Sequence, residues 1–303
     1  MMKLPGTIVP PLTPFTSDLK VDYDALKVIV DYVVERCDAA MVVAAGVEAQ
    51  EYQYLPFDER KDLIRHTVEA VNGRRPVAVG VSHPSFKVAI ELAHFAERLG
   101  AGAIQILAPQ KPTGGAPTTA ELVRYFELIG RETSLPIILY LNPGPGFDVS
   151  IPATVELSKL DQVKYIKESS RDLARVARLI SDIELAGHAR YFTTLQMLLI
   201  TLQLGGSGIT LPPPAAELAH YIIAAYVAGD TGRAAELQQQ FSLFPSRWME
   251  FGLAAVMKAA ANYLGLPAGA PHPPYAPVSG EKLDALHRYL ATTAFPHTER
   301  VYA

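Results

Sequence analysis

Short apolar segments alternate with amphipathic helical segments along most of the chain, and this alternation limits the possible folds more than any other feature. Eight apolar segments have the length of buried strands, at residues 6–11, 39–45, 76–82, 102–108, 136–141, 163–167, 190–193 and 208–211. Each is followed by a segment with helical periodicity, at residues 23–35, 58–71, 85–99, 119–132, 152–159, 172–180, 195–204 and 215–228. Eight strand–helix units of this kind predict a parallel (β/α)8 TIM barrel of the α/β class.

The glycine-rich segments do not support the main alternative, a doubly wound sheet that binds a dinucleotide. Residues 144–146 and 205–208 are rich in glycine, but neither lies in a strand–GxGxxG–helix context. We therefore expect a barrel that works without a cofactor.

The last part of the chain has a helical pattern only. Residues 230–241, 244–264 and 280–292 predict three helices, and a proline-rich linker at residues 267–277 separates the last two. We therefore divide the chain into a barrel domain, residues 1–229, and a C-terminal helical region, residues 230–303, packed on the barrel or at a subunit contact.

The composition excludes several classes of partner. A formal net charge of −4 without a lysine or arginine cluster argues against nucleic acid as a partner. No uninterrupted apolar stretch approaches the length of a membrane-spanning helix, and the N-terminus lacks the hydrophobic region of a signal peptide. The single cysteine, Cys37, fits a reducing compartment. We expect a soluble, cytoplasmic protein that has no membrane partner.

Lys167 ends the apolar segment at residues 163–167, and a buried lysine at a strand end is chemically unusual. Alternation along a strand places Val163, Tyr165 and Lys167 on one face. It places Lys164 and Ile166 on the other. Burial lowers the pKa of a lysine, so the neutral amine can attack a carbonyl and form a Schiff base. The alternative is an ordinary solvated lysine just past the end of a strand.

Polar side chains collect where the predicted strands end, which is where the active sites of such barrels lie. In chain order they are Thr13, Glu48, Gln50, Glu51, His83, Lys111, Tyr140, Lys167, Thr193, Thr194 and Thr210.

Five segments in this order resemble a known family. They are residues 12–15 (Leu-Thr-Pro-Phe), 55–60 (Leu-Pro-Phe-Asp-Glu-Arg), 138–143 (Ile-Leu-Tyr-Leu-Asn-Pro), 166–169 (Ile-Lys-Glu-Ser) and 204–209 (Leu-Gly-Gly-Ser-Gly-Ile). From Gly6 to about Ser279 the chain is similar to the dihydrodipicolinate synthase / N-acetylneuraminate lyase family of class I aldolases and dehydratases.

The resemblance implies a role for two of these residues. Lys167 corresponds to the lysine that forms a Schiff base with pyruvate or another 2-oxo acid, and Tyr140 corresponds to the tyrosine that shuttles protons and contacts the substrate. The chemistry agrees, because an iminium at Lys167 withdraws electrons from the neighbouring carbon and a tyrosine hydroxyl can act as acid and base. The resemblance also implies a homodimer or homotetramer.

The chain departs from the family pattern at several positions. Residues 47–51 (Val-Glu-Ala-Gln-Glu) stand in place of Gly-Thr-Thr-Gly-Glu, although a shift of one residue would align Gly46 with the first glycine. The tyrosine expected after strand four falls at Lys111 or its neighbour, and the arginine expected after the strand-five tyrosine falls at Pro145. Residues 193–196 replace the usual Gly-Asp or Gly-Asn pair. We therefore expect that the protein is not a true dihydrodipicolinate synthase.

The replacing residues predict a polar substrate. We expect the substrate-binding residues to be Glu48, Ala49, Gln50, Lys111, Thr193 and Thr210. The alternative for Glu48 and Gln50 is that they only solvate a loop. Glu51 fits better as a brace for its own loop than as a contact for the substrate.

Three functions remain open at this stage. The first is a Schiff-base lyase, either aldolase or dehydratase, acting on a 2-oxo acid such as a 2-keto-3-deoxy sugar acid. The second is a metal-dependent barrel lyase with His83, Glu48 and Glu51 as ligands, although the sequence contains no close histidine pair. The third is a family member without catalytic activity that binds a 2-oxo acid. The sequence does not choose between carbon–carbon cleavage and dehydration.

Overall fold

Eight parallel strands close into a barrel in the computed structural model, which describes residues 2–49, 51–111, 113, 115–142 and 146–295. The strands, β1 to β8, are Gly6–Val9, Met41–Ala44, Val77–Gly80, Ala103–Leu107, Ile137–Leu141, Val163–Glu168, Arg190–Thr193 and Gly208–Thr210. They pair in sequence order, and β8 pairs with β1. The predicted (β/α)8 barrel is confirmed.

A helix follows each strand. The helices α1 to α8 are Tyr23–Glu35, Phe57–Val71, Phe86–Arg98, Thr119–Gly130, Ile151–Ser158, Leu173–Leu179, Leu198–Gln203 and Ala215–Val227. The C-terminal helices α9 to α11 are Thr231–Leu243, Leu253–Tyr263 and Gly280–Leu290, and α9 packs against α8. Shorter turns of 3₁₀ helix lie at Glu51–Tyr54, Leu195–Met197 and Ser246–Phe251, and a π-helical turn lies at Ile180–Glu184. Within the described ranges, every helix is too short or too polar to cross a membrane.

Side-chain caps fix where several helices begin. Thr118 and Glu121 form a reciprocal capping box at the start of α4. Asp172 accepts hydrogen bonds from the first backbone amides of α6, directly after the strand that carries Lys167. These caps satisfy amide groups that the helix itself leaves unpaired, so the helix start is determined locally.

The barrel has two separate apolar cores. The larger core lies between the strands and the surrounding helices. The smaller core fills the barrel interior and consists of Ile8, Met41, Val43, Ala78, Ala103, Ile138 and Phe192, with Tyr165 packed against it. Because side chains alternate along a strand, the residue two positions further on also faces inward. Gln105, Tyr140 and Lys167 occupy these positions on β4, β5 and β6, above the apolar layer.

The start of β6 differs from the predicted alternation. The pairing between β5 and β6 shifts by one residue, so that Ile137 pairs with Val163 and Ile138 pairs with Tyr165. Val163 consequently belongs to the outer core, together with Ile166, and does not share a face with Lys167. The alternation holds from Tyr165 onward, and Lys164 is exposed.

Two predicted helices are interrupted. The segment 195–204 begins as a 3₁₀ turn before α7, and the segment 244–264 is divided at Gly252 into a 3₁₀ turn and α10. Gly252 has a φ of +83°, a left-handed conformation that glycine adopts without strain and that ends a helical run. This break directs the chain over the open end of the barrel.

Gly208 is required where the barrel closes. Its φ is +141°, and a Cβ atom at this position would lie 2.0 Å from the carbonyl oxygen of Gly6 on β1. A side chain at residue 208 would therefore strain the backbone and also overlap with β1, and both effects would weaken the pairing of β1 with β8.

We predict that Gly208→Ala lowers the free energy of unfolding by about 2–4 kcal/mol, measured by urea denaturation. Gly102→Ala is the matched control, since a Cβ atom there would meet its nearest neighbour at 3.8 Å. Equal stability of the two variants would show that the closing pair tolerates a side chain.

Candidate active site

A cavity of about 550 Å³ opens at the carboxyl-terminal end of the barrel. Strand ends and the loops after them form its base, including Glu48, Tyr140, Lys167 and Thr210. The C-terminal region forms the opposite wall with Phe251 to Ala255, Pro271, His272 and Tyr275. The cavity is therefore completed by both parts of the chain.

Lys167 lies at the base of this cavity with only 1% of its surface exposed. Its Nζ atom donates hydrogen bonds to Ser169 Oγ and to the backbone carbonyl of Thr193, each at 3.2 Å. Burial lowers the pKa of Lys167 to about 8, against the opposing effect of the negative charges of Glu48 and Glu168. Roughly a tenth of the Lys167 side chains are therefore neutral amines at pH 7.

Tyr140 lies beside Lys167 on the neighbouring strand. The two residues are paired in register, and the Lys167 Nζ atom lies 5.5 Å from the centre of the Tyr140 ring. The Tyr140 hydroxyl accepts a hydrogen bond from Asn142 Nδ2 at 3.0 Å and also bonds to Ser169. Burial and the nearby Glu48 charge raise the pKa of Tyr140, so its hydroxyl stays protonated. Ser169 thus links the amine of Lys167 to the phenol of Tyr140.

Glu48 places a carboxyl group in the same cavity. Its Oε1 atom accepts a hydrogen bond of 2.8 Å from Gln105 Nε2, while Oε2 is buried and has no hydrogen-bond partner. Gln105 also accepts a hydrogen bond from the Val47 amide at 3.0 Å, so one buried side chain from β4 holds the loop after β2. Burial raises the pKa of Glu48, and the positive charge of Lys167 partly opposes this.

Glu168 fixes the segment that follows Lys167. Its carboxylate accepts hydrogen bonds from Arg175 Nε at 2.9 Å, the Tyr191 hydroxyl at 3.1 Å and the Ser170 amide at 3.0 Å. These bonds hold the start of the loop to β7 and to α6. Ser169 therefore sits on a fixed backbone.

Glu51 braces the loop after β2 from the other side, as the sequence predicts. It forms a buried ion pair of 2.8 Å with Lys258 on α10, and it accepts a hydrogen bond of 2.8 Å from the Thr13 amide. Lys258 also donates to the carbonyl groups of Thr13 and Ala270. The pair ties the C-terminal region to the loop that carries Glu48.

The predicted substrate-binding residues divide into two groups. Glu48, Ala49 and Thr210 line the cavity, and the hydroxyl of Thr210 is buried without a hydrogen-bond partner. Gln50 lies outside the described residues. Lys111 and Thr193 are placed elsewhere.

Lys111 does not line the cavity. It is exposed and pairs with Glu121 on α4 at 2.9 Å, because the loop after β4 carries it away from the barrel axis. The side chain of Thr193 also lies outside the cavity lining, because Phe192 occupies the inward position on β7 and the next residue points outward. Thr193 contributes only its backbone carbonyl, which binds Lys167.

The three proposed metal ligands are not brought together. Glu51 is occupied by Lys258, and the His83 Nδ1 atom accepts a hydrogen bond from the Ser85 amide at 2.9 Å. In the described parts of the chain, no three histidine, cysteine, aspartate or glutamate side chains form a group that could hold a metal ion. The geometry does not favour this second function.

Several cavity residues were not predicted from the sequence. Asn142, Ser169 and Arg171 follow strands β5 and β6, and their position at strand ends is the signal that could have identified them. Gln105 could have been found as a polar residue inside an apolar strand. His272 and Tyr275 come from the proline-rich linker, and no local pattern predicts that this linker reaches the cavity.

A family model described as the dihydrodipicolinate synthetase family matches residues 3–293 of the chain. The chain belongs to this family. Among its relatives, the 4-hydroxy-tetrahydrodipicolinate synthase of Moorella thermoacetica is 31% identical over 262 residues, which are 85% of this chain and 87% of that protein. The synthase of Caldicellulosiruptor saccharolyticus is 28% identical over 292 residues, which are 94% of this chain and 95% of that protein.

Solved structures of other proteins have the same fold. YagE, a prophage protein of the dihydrodipicolinic acid synthase family from E. coli K12 solved in complex with pyruvate, superposes with a TM-score of 0.86 at 25% identity, covering 94% of this chain and 97% of that one. The N-acetylneuraminate lyase of Mycoplasma synoviae superposes with a TM-score of 0.79 at 23% identity, covering 94% of this chain and 96% of that one. The chain therefore shares its fold with both proteins.

We predict that Lys258→Met and Glu51→Gln each lower the free energy of unfolding. Lys258→Met should lower it by about 3–5 kcal/mol, because the Glu51 carboxylate is then buried without a partner. The double variant should recover much of this loss, as the remaining groups no longer carry a buried charge. A double-mutant cycle by urea denaturation measures the coupling. Additive effects in the cycle would mean that the ion pair does not hold the two segments together.

Proposed function

We propose that the protein is a class I lyase that forms a Schiff base between Lys167 and the carbonyl carbon of a 2-oxo acid. The observation that carries this proposal is a buried lysine of lowered pKa, at the base of a cavity, hydrogen-bonded through Ser169 to a buried tyrosine. Membership of the family supports it.

Lys167 supplies the nucleophile in this mechanism. Its neutral amine attacks the carbonyl carbon, and loss of water then gives an iminium that draws electrons from the adjacent carbon. The bonds to Ser169 and to the Thr193 carbonyl hold the amine in place before the substrate arrives.

Tyr140 and Ser169 serve the proton transfers close to the nitrogen. After the amine attacks the carbonyl carbon, the former carbonyl oxygen must gain protons before it can leave as water. The Tyr140 hydroxyl can supply a proton, because it is protonated and lies next to the amine. Ser169 bonds to both groups and can pass the proton between them.

The cavity wall supports a hydroxylated 2-oxo acid as the substrate, such as a 2-keto-3-deoxy sugar acid. Asn142, Ser169 and Thr210 present amide and hydroxyl groups that can bind substrate hydroxyls. Arg171, oriented by a hydrogen bond of 3.0 Å from its Nε atom to Gln196, presents a guanidinium that can pair with the carboxylate at carbon 1 of the 2-oxo acid.

The departures from the family pattern argue against aspartate semialdehyde as a second substrate, although relatives are named as 4-hydroxy-tetrahydrodipicolinate synthases. Pro145 stands where the family's arginine is expected, and Lys111 pairs with Glu121 away from the cavity. We further expect a homodimer or homotetramer, which light scattering after gel filtration would measure.

We predict that borohydride reduction in the presence of pyruvate adds a stable mass to a peptide containing Lys167, and that Lys167→Ala abolishes the label. The initial rate of trapping should rise with pH through about 8, because the neutral amine forms as the pH passes the pKa of Lys167. Lys164→Ala is the matched control, since this neighbouring lysine is exposed. A label on Lys164, or none on the wild type, would contradict the proposed nucleophile.

We predict negligible condensation of pyruvate with aspartate semialdehyde and clear turnover of at least one hydroxylated 2-oxo acid. A buried site that lacks a partner for a charged group rejects its ligand by several kcal/mol, about 10²-fold or more in kcat/KM. Steady-state assays on both substrate classes measure this difference. Efficient condensation of aspartate semialdehyde would show that the departures from the family pattern do not alter specificity.

A further inference from the structure

Glu48 lines the same cavity as Lys167 and Tyr140, but it has no role in the Schiff-base chemistry described for these two residues. It lies in the segment where the family pattern has threonine and this chain has a carboxyl group. Its side chain lines the cavity, and its Oε2 atom is buried without a hydrogen-bond partner. An unpartnered buried oxygen of this kind costs free energy unless a ligand or a reaction makes use of it.

A purely structural role does not account for these contacts. Lys167 donates its hydrogen bonds to Ser169 and to the Thr193 carbonyl, so the two charged residues form no direct ion pair. The loop after β2 is held by Gln105 through the Val47 amide and by Glu51 through Lys258, which leaves Glu48 Oε2 free of a bracing function. Gln105 Nε2 binds the other oxygen and so fixes the direction of the carboxyl group.

We propose that Glu48 is the catalytic acid–base residue that moves the proton of substrate carbon 3, the carbon next to the Schiff base. The proposal rests on the proposed function of Lys167. In the iminium, the Glu48 carboxylate takes the proton from carbon 3. The electron pair of that C–H bond forms a double bond between carbons 2 and 3, and the electron pair of the C=N double bond moves to the nitrogen, which gives an enamine.

This proton transfer is reversible and requires no further reactant. Return of the proton from Glu48 to carbon 3 regenerates the iminium. When carbon 4 carries a hydroxyl, the enamine can instead expel it. A double bond then forms between carbons 3 and 4, the nitrogen regains its C=N bond, and the proton on Glu48 leaves with the hydroxyl as water. One carboxyl group at the position of Glu48 thus serves as base and then as acid.

The electrostatics fit this assignment. Burial raises the pKa of Glu48 toward the range where a carboxyl group both accepts and returns protons efficiently. Replacement by glutamine removes a negative charge that raises the pKa of Lys167, so the amine of the variant should be neutral at a lower pH. Schiff-base formation should therefore survive the substitution.

Exchange of the pyruvate methyl protons for deuterium, followed by NMR in D₂O, measures the proposed step directly. Borohydride trapping of pyruvate on the same samples measures the Schiff base separately. We expect Glu48→Gln to trap pyruvate as the wild type does while methyl exchange falls about 10²- to 10⁴-fold. When exchange is divided by the amount of Schiff base trapped at the same pH, the wild-type ratio should fall as the pH drops through the raised pKa of Glu48, and this fall should be absent in the variant.

A second variant keeps the test decisive if glutamine impairs folding. Glu48→Asp retains the carboxyl group but withdraws it by one methylene, so exchange should fall at least about 10-fold with trapping preserved. Exchange within about threefold of the wild type in either folded variant would overturn the role of Glu48. Failure of the wild type to trap pyruvate would instead overturn the proposed nucleophile, because trapping does not depend on the carbon 3 proton.

Discussion

Closure of the parallel sheet is the constraint on which the rest of the molecule depends. Eight strands running in one direction bring eight carboxyl ends around one axis, and each inward side chain at that end meets those of the other strands. An apolar layer below them excludes water from the barrel. The amine of Lys167 is consequently desolvated by the fold itself, and its lowered pKa follows from where β6 ends.

The sequence predicts the fold and the central pair well, because both depend on short-range patterns. Tyr140 and Lys167 face the same interior since alternation holds over the last residues of β5 and β6. The same rule fails for Val163, because a shift in strand pairing leaves no trace in the apolar pattern. The alternation rule also does not predict the position of Lys111, because this residue lies in a loop whose path the strand pattern does not determine.

The outer wall of the cavity could not be predicted, for a different physical reason. His272 and Tyr275 reach it through contacts that are distant in the sequence, and Gly252 sets the direction of the chain by a backbone conformation. The comparisons settle the family and the fold, at identities near 30%. At that level of identity the fold is shared while single cavity residues differ. Glu48 is such a residue, because it places a carboxyl group where the family pattern has threonine.

The buried pair of Glu51 and Lys258 has a consequence for the order in which the site is completed during synthesis. The nucleophile and its tyrosine are translated well before α10, which supplies the cation for the loop behind Glu48. A nascent chain that has finished its eight strands would still hold the Glu51 carboxylate without its partner. The loop behind Glu48 would then lack the anchor that α10 provides until the last helices dock.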